Sequence, residues 1–213
     1  NYLSNIDENS IGFLGSSEML DIYPKPVKFV SPDNPMVKQL SLEEGMILVS
    51  RSGTIGNVTV VNDTLKKHLV SEHAIRLIVK DLPGYVYAYL KTDTAQNLLH
   101  AEKFGSVVLE IEPQSFKNML IPNSPYLLKK KIHDLILESY KERDESNRLI
   151  DEATNLLLDK LSLPPIAELE KEVSSHSDEI NSFSRKLSNL NSRLEASYHI
   201  PIVGLIEKYL EEN

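Results

Sequence analysis

Arg51, Ser52, Thr54 and Asn57 crowd into the string SRSGTIGN, which separates two apolar runs. Arginine carries a planar fork that can donate two parallel hydrogen bonds, to a carboxylate or to guanine O6 and N7. Short hydroxyl side chains on a rigid turn lose little entropy on binding a polar partner. Phosphate cradling of the P-loop kind is excluded, because Gly56 is followed by Asn57 and Val58 rather than by Lys and Ser or Thr. Nucleophilic catalysis from an elbow motif is also excluded, since Ser52 has no glycine two positions upstream. His68 and His73 are the only paired histidines, but they do not form H-E-x-x-H and no third ligand is close in sequence. A hydrogen-bonding role at a strand end suits His73 better than metal ligation.

The elements that position this loop are legible around it. Met46–Val49 and Val58–Val61 are rich in β-branched residues and read as two strands, with Gly53 and Gly56 permitting the sharp turn between them. The loop admits two roles, a hairpin whose polar residues face water or a ligand-facing platform. Ile11–Leu14 reads as a short strand. Ile22–Val30 is extended but interrupted by Pro24 and Pro26, so it cannot be a central strand; Lys25 and Lys28 project from it, as solvated charges or as phosphate contacts. Ser31–Leu42 reads as a polar connector. Asp63–Lys67 forms a turn, Leu69–Val79 alternates like a strand with Lys66, Lys67 and His68 at its mouth, and Tyr85–Leu99 has helical spacing. That tyrosine-bearing helix invites base stacking, but packing on a sheet is the commoner use of such a stripe. Val107–Ile111 alternates as a last strand before Pro113, and Met119–Ile121 ends the domain at Pro122.

Four strings in fixed order resemble the target-recognition domain of type I restriction-modification specificity subunits: GMILVSRSGTIGNV from Gly45, VSEHAIRL from Val70, GYVYAYLKT from Gly84, and FGSVVLEIEPQSFKNMLIP from Phe104. The likeness extends through the following helix and covers essentially the whole chain. It implies an α/β (α+β) fold: a twisted, mostly-β recognition domain followed by a long coiled-coil-type spacer helix. It also implies a non-catalytic, sequence-specific DNA-binding subunit without cofactor, directing partner methyltransferase (M) and restriction (R) subunits to double-stranded DNA. On that reading DNA is expected across the face carrying the Ser50–Asn57 loop, with Arg51, Ser52 and Thr54 nearest the groove, Asn57 in the same loop, Lys25, Lys28, Lys66 and Lys67 along the backbone, and His68 beside Lys67 completing the expected contacts. Arg51 has an alternative use, bracing the platform against Glu72 or another carboxylate.

Charge argues against a self-sufficient DNA binder. The 213 residues carry a formal net charge of -8. Residues 1–123 hold 11 Lys and Arg against 14 Asp and Glu, so the reading domain is close to neutral and its unaided affinity should be modest. The absence of cysteine suits the cytoplasm, the expected compartment, and no run of about eighteen apolar residues suggests a membrane span. Neither an adenine-methyltransferase tetrapeptide of the N-P-P-Y or D-P-P-Y type nor a glycine-rich cofactor loop occurs. The chain is therefore not expected to methylate DNA itself. The recognition domain of a fused methyltransferase and a helical scaffold that binds protein rather than DNA are the competing readings.

Beyond Pro125 the pattern changes. Residues 126–161 contain no glycine or proline, and Ile132, Ile136, Ser139, Arg143, Ser146, Ile150, Ala153 and Leu157 recur at near-heptad spacing. This predicts a helix on the order of 50 Å long that pairs antiparallel with an equivalent one, from a second copy or from another half of the subunit. Pro164 and Pro165 stop it. The expected divisions are 1–123 as a recognition domain lacking its N-terminal part, since its polar start looks cut from something longer, 124–161 as spacer, 162–190 as linker with a short helix near Ile166–Val173, and 191–213 as the start of a second recognition domain or its helix, an amphipathic one bearing Ile202, Leu205, Ile206 and Tyr209.

Overall fold

The computed structural model describes residues 2, 9–52, 55–101, 110–165, 168–169, 184, 186, 195 and 199–212. The protein is a mixed α+β chain with two small three-stranded sheets and one long helix. It packs as two compact units, Asn1–Asn147 and Arg148–Asn213.

In the first sheet β1 (Ile11–Leu14) lies between β2 (Lys28–Val30) and β5 (Leu69–Val70). β2 is antiparallel to it, with Ile11 opposite Val30, and β5 is parallel, with Leu14 opposite Val70. The second sheet centres on β3 (Ile47–Ser50), flanked antiparallel by β4 (Val58–Val60) and β6 (Ala74–Leu77). Every residue of β3 is buried. Alternate side chains of a strand point to opposite faces, so Leu48 joins Leu14, Met19, Val61 and Val70 in one core while Ile47 and Val49 join Val58, Leu90, Leu99, Ile111 and Tyr140 in another. A strand covered on both faces needs a continuous apolar run, which is why the platform reads ILV rather than alternating. Burying each such side chain contributes roughly 1.5–3 kcal/mol.

Two expected elements divide. Leu69–Val79 is not one strand: β5 pairs in the first sheet and β6 in the second, with Ser71–His73 as the corner. Arg76 rivets this corner, its guanidinium donating to the carbonyls of Ala74 (3.0 Å), Leu40 (3.3 Å) and Val70. Burial lowers its pKa from the usual value, with the Glu72 charge opposing the shift. Tyr85–Leu99 is likewise two helices, α2 (Pro83–Leu90) and α3 (Asp93–Ala101). Thr92 starts the second by accepting the Ala95 N–H on its hydroxyl (3.3 Å), and Asp93 places negative charge in the first turn. The tyrosines are core: the rings of Tyr87 and Tyr140 meet edge to face at 5.6 Å, and Tyr85 donates to the Pro122 carbonyl at 2.8 Å. Burial, then the Tyr140 hydroxyl, pushes the Tyr87 phenol up. The connector Ser31–Leu42 holds one further turn of helix, α1 (Val37–Leu40).

α4 (Tyr126–Lys160) is one unbroken 35-residue helix, as its composition predicts. Its first partner, however, is its own domain. Ile136, Tyr140, Asp144 and Asn147 face the sheets, whereas Ser139 and Ser146 of the expected seam are exposed. Tyr140 accepts the Val60 N–H at 3.1 Å and lies 3.2 Å from the Thr59 hydroxyl. Asp144 accepts from the Asn62 amide (2.8 Å), the N–H groups of Asp63 (3.1 Å) and Thr64 (2.8 Å), and the Thr64 hydroxyl (2.6 Å). Asn147 donates to the Ile22 carbonyl at 2.8 Å. The polar middle of the helix is thus a docking face, and the first compact unit runs through it to Asn147.

In the second unit Leu149, Ile150, Leu156 and Leu157 are 46–59 % exposed. The helix ends where Ser162 turns left-handed (φ 51°) and Leu163 N–H bonds back to the Leu158 carbonyl at 2.9 Å, just ahead of the two prolines. The amphipathic helix expected after His199 is α5 (Pro201–Glu212). Most of the expected linker, and of the short helix at Ile166–Val173, lies outside the described residues.

Candidate nucleic-acid interface

The polar loop is held from within. Ser50 receives the Asn57 N–H on its hydroxyl (3.1 Å) and returns a bond to the Asn57 carbonyl (3.3 Å), while the backbone of Ser50 pairs with Asn57 and Gly56. Gly56 adopts φ +83°, a conformation costly for a side-chain-bearing residue, and its carbonyl accepts the Gln96 amide of α3 at 2.8 Å. Arg51 is fixed on both backbone sides: its N–H reaches the His73 carbonyl (2.8 Å) and its carbonyl accepts the Ile111 N–H (3.1 Å). Its guanidinium pairs with Glu110 at 3.1 Å. Bracing by a carboxylate is therefore present, with Glu110 as the partner instead of Glu72. Ser52 forms an isolated antiparallel bridge with Glu110, and Asn57 is exposed. Thr54 lies outside the described residues, as does most of the strand expected at Val107–Ile111.

The other predicted contacts separate. Antiparallel pairing of β3 and β4 returns the chain to the start of β3, where Gly45 N–H meets the Val61 carbonyl at 2.9 Å. Lys66 and Lys67 follow directly in a 3-10 turn, at the opposite end of the hairpin from Arg51, about 13 Å away for four residues of strand. Both are paired: Lys66 with Asp63 (2.6 Å) and Glu44 (3.2 Å), and Lys67 with Asp63 at 3.8 Å. The Lys66 hydrogen bond holds the Asp63 carboxyl below its ordinary pKa, and Asp63 in turn raises that of Lys66.

His68 ends the Leu65–Lys67 turn directly before β5 and lies against β1 of the first sheet. Its Nδ1 is buried without a hydrogen-bond partner among the described residues, beside Gly12 and Pro26; a Cβ on Gly12 would come within 2.7 Å of that nitrogen. Burial, with the Lys67 charge, lowers its pKa. Lys25 stands 5.0 Å over the Tyr23 ring and Lys28 5.0 Å over the Tyr2 ring.

What the fold brings together is a different set. The C-terminal ends of β1 and β5, the start of β2 and the hairpin loop share one end of the two sheets. There an open cleft of about 390 Å³ is lined by Lys28, Ser16, Ser17, Glu18, Glu72 and His73 among others, with Arg51 hydrogen-bonded to the His73 backbone alongside. The cations at this end are matched by Glu18, Glu72 and Glu110, so it offers specific polar groups without a strong positive field. Reasoning from the sequence missed Glu110 and the Gly15–Ser17 turn as members of this end, and placed His73 only as a hydrogen-bonding residue at a strand end without its tie to Arg51. The separation of Lys66 and Lys67 had a signal, because residues that follow a hairpin's second strand lie at its base. Among the described residues no cluster of three or more His, Asp or Glu could hold a metal, and no helix is long and apolar enough to cross a membrane. No protein-family model and no curated protein matches the chain.

Proposed function

We propose that this chain is a sequence-specific, non-catalytic DNA-recognition module of the kind found in type I restriction-modification specificity subunits, delivering partner methyltransferase and restriction subunits to double-stranded DNA. The observation that carries the reading is the placement of the four resembling strings. The first forms β3 and opens β4, the second ends β5 of the first sheet and then forms the corner and β6 beside β3, the third lies in the α2 helix packed on β4, and the described part of the fourth runs beside Arg51. The loop end, with Arg51, Ser52 and Asn57, is the face that approaches a groove, and Lys28 supplies phosphate contact beside it. The exposed leucines of α4 beyond Asn147 supply the pairing surface of a spacer, for a second copy or for another half of the subunit.

One group of observations favours a protein-binding scaffold instead: Arg51, Lys66 and Lys67 are all paired with carboxylates, and the net charge is -8. Selection from a pool of random duplexes at low salt separates the two. The DNA reading requires that one sequence be enriched and that Arg51→Ala relax a position of it, at a cost of about 1–3 kcal/mol in specific binding. Enrichment of no sequence, with the helix still self-associating, would leave the scaffold.

A further inference from the structure

The geometry points to Glu110 as a positioning residue for Arg51: its carboxylate holds the guanidinium at the open end of the hairpin, and this sets base discrimination rather than overall affinity. The inference rests on the DNA-recognition reading and adds to it Glu110, a residue outside the predicted contacts that touches two of them, Arg51 and Ser52.

An ion pair at this place has an ordinary alternative use, clamping the segment that carries Glu110 onto the hairpin. That segment is already clamped. Ile111 N–H bonds to the Arg51 carbonyl at 3.1 Å, Ser52 and Glu110 form a backbone bridge, and the Ile111 side chain is fully buried in the second core. The side chains of the pair are 34 % and 25 % exposed, a setting in which water screens the charges and an ion pair adds little to stability.

What the pair does restrict is the arginine. A long side chain presented at a groove loses rotamer freedom on docking, and that cost falls when a neighbour already holds the fork. Here Nη2 is tethered 3.1 Å from a Glu110 oxygen, while Nε is turned inward, buried and without a hydrogen-bond partner among the described residues. Arg51 therefore enters an encounter with its backbone fixed on both sides and its fork held from one edge. A misplaced base would have to be met by breaking the Glu110 contact. Positioning of this kind penalises wrong sequences more than right ones.

The test uses the whole chain, with duplexes carrying the sequence selected from a random pool and single-base-pair variants of it. Wild type should discriminate against the variant at the Arg51-dependent position by about 10–100-fold, the range of one good bidentate contact. Glu110→Gln should reduce that ratio several-fold while leaving the near-ultraviolet melting transition unchanged and without weakening non-specific DNA binding, which should hold or rise as a carboxylate is lost from the face. The Arg51→Ala, Glu110→Gln double variant should discriminate no worse than Arg51→Ala alone, because the two residues act as one unit. Unchanged discrimination in Glu110→Gln overturns the inference, as does a loss of melting temperature with equal weakening on every sequence, the mark of a clamp. If wild type selects no sequence at all, the DNA-recognition reading falls and this inference with it.

Discussion

Asp144→Ala tests how the long helix is held. In the folded chain this carboxylate is the acceptor for four donors of the Asn62–Thr64 turn, at 2.6–3.1 Å. Hydrogen bonds to a charged group contribute about 1.5–3 kcal/mol each when buried, but this turn is partly exposed and water can replace some of them. The backbone N–H of Thr64 and the Asn62 amide lie on its part-buried side and lose most. A net cost of about 2–3 kcal/mol follows, well short of the sum of four separate bonds. For a unit of this size that corresponds to a fall in Tm on the order of 5–10 °C. Tyrosine signals suit the measurement, because seven of the nine tyrosines belong to the first unit, whose unfolding is the transition at issue. Near-ultraviolet circular dichroism on heating should show the loss in Asp144→Ala and almost none in Ser139→Ala, which alters the exposed side of the same helix. Equal, small effects from both would refute the docking argument and return the near-heptad seam, Ser139 included, as the face that matters.

Replacing Ile150 and Leu157 by Lys should leave that melting transition in place and weaken self-association in sedimentation velocity at dilute concentration, since both side chains are solvent-facing in the second unit; unchanged sedimentation of a self-associating chain would count against pairing there. Gly56→Ala should cost about 1–2 kcal/mol, because φ is +83° and the new Cβ would lie 2.9 Å from the Gln96 amide oxygen, and a denaturant midpoint equal to wild type would contradict it. His68 has its folded pKa below the unfolded value near 6.5, so it binds protons more readily when unfolded; its contribution is intact above about pH 6.5 and declines as pH falls below it. His68→Gln should flatten the stability profile between pH 7 and 5, and an identical slope in the variant would show that other groups set it. Lys28→Ala should reduce the salt dependence of DNA binding by about one counterion, while Lys66→Ala with Lys67→Ala should not, and a reversed order in a salt titration would put the contact face at the other end of the hairpin.

Local chemistry carried a good part of this protein. The ILV run and the Val58–Val60 stretch had to be strands, Gly56 had to turn the chain between them, and 35 residues without glycine or proline had to be helix until Ser162 and the two prolines ended it. These are consequences of φ and ψ preferences and of apolar periodicity within a few residues. Which face of that helix is covered was a different matter. Counting apolar positions favoured the seam through Ser139 and Ser146, whereas Tyr140, Asp144 and Asn147 face the domain because their polar atoms meet the Val60 N–H, the Asn62–Thr64 turn and the Ile22 carbonyl, partners more than seventy residues away in sequence. The split of Leu69–Leu77 between two sheets had the same origin, since the corner depends on Arg76 reaching the Leu40 carbonyl from another element. Arg51 shows the division most sharply. Its type and its glycine-flanked loop announce a residue meant for a polar partner, but the nearest partner, Glu110, is fifty-nine positions along the chain, and only the fold's folding-back of that segment beside Ser52 made it the neighbour. Backbone preferences act between adjacent residues and can be read in order; charge pairs and hydrogen bonds act through space, where the order of the chain no longer says who is near.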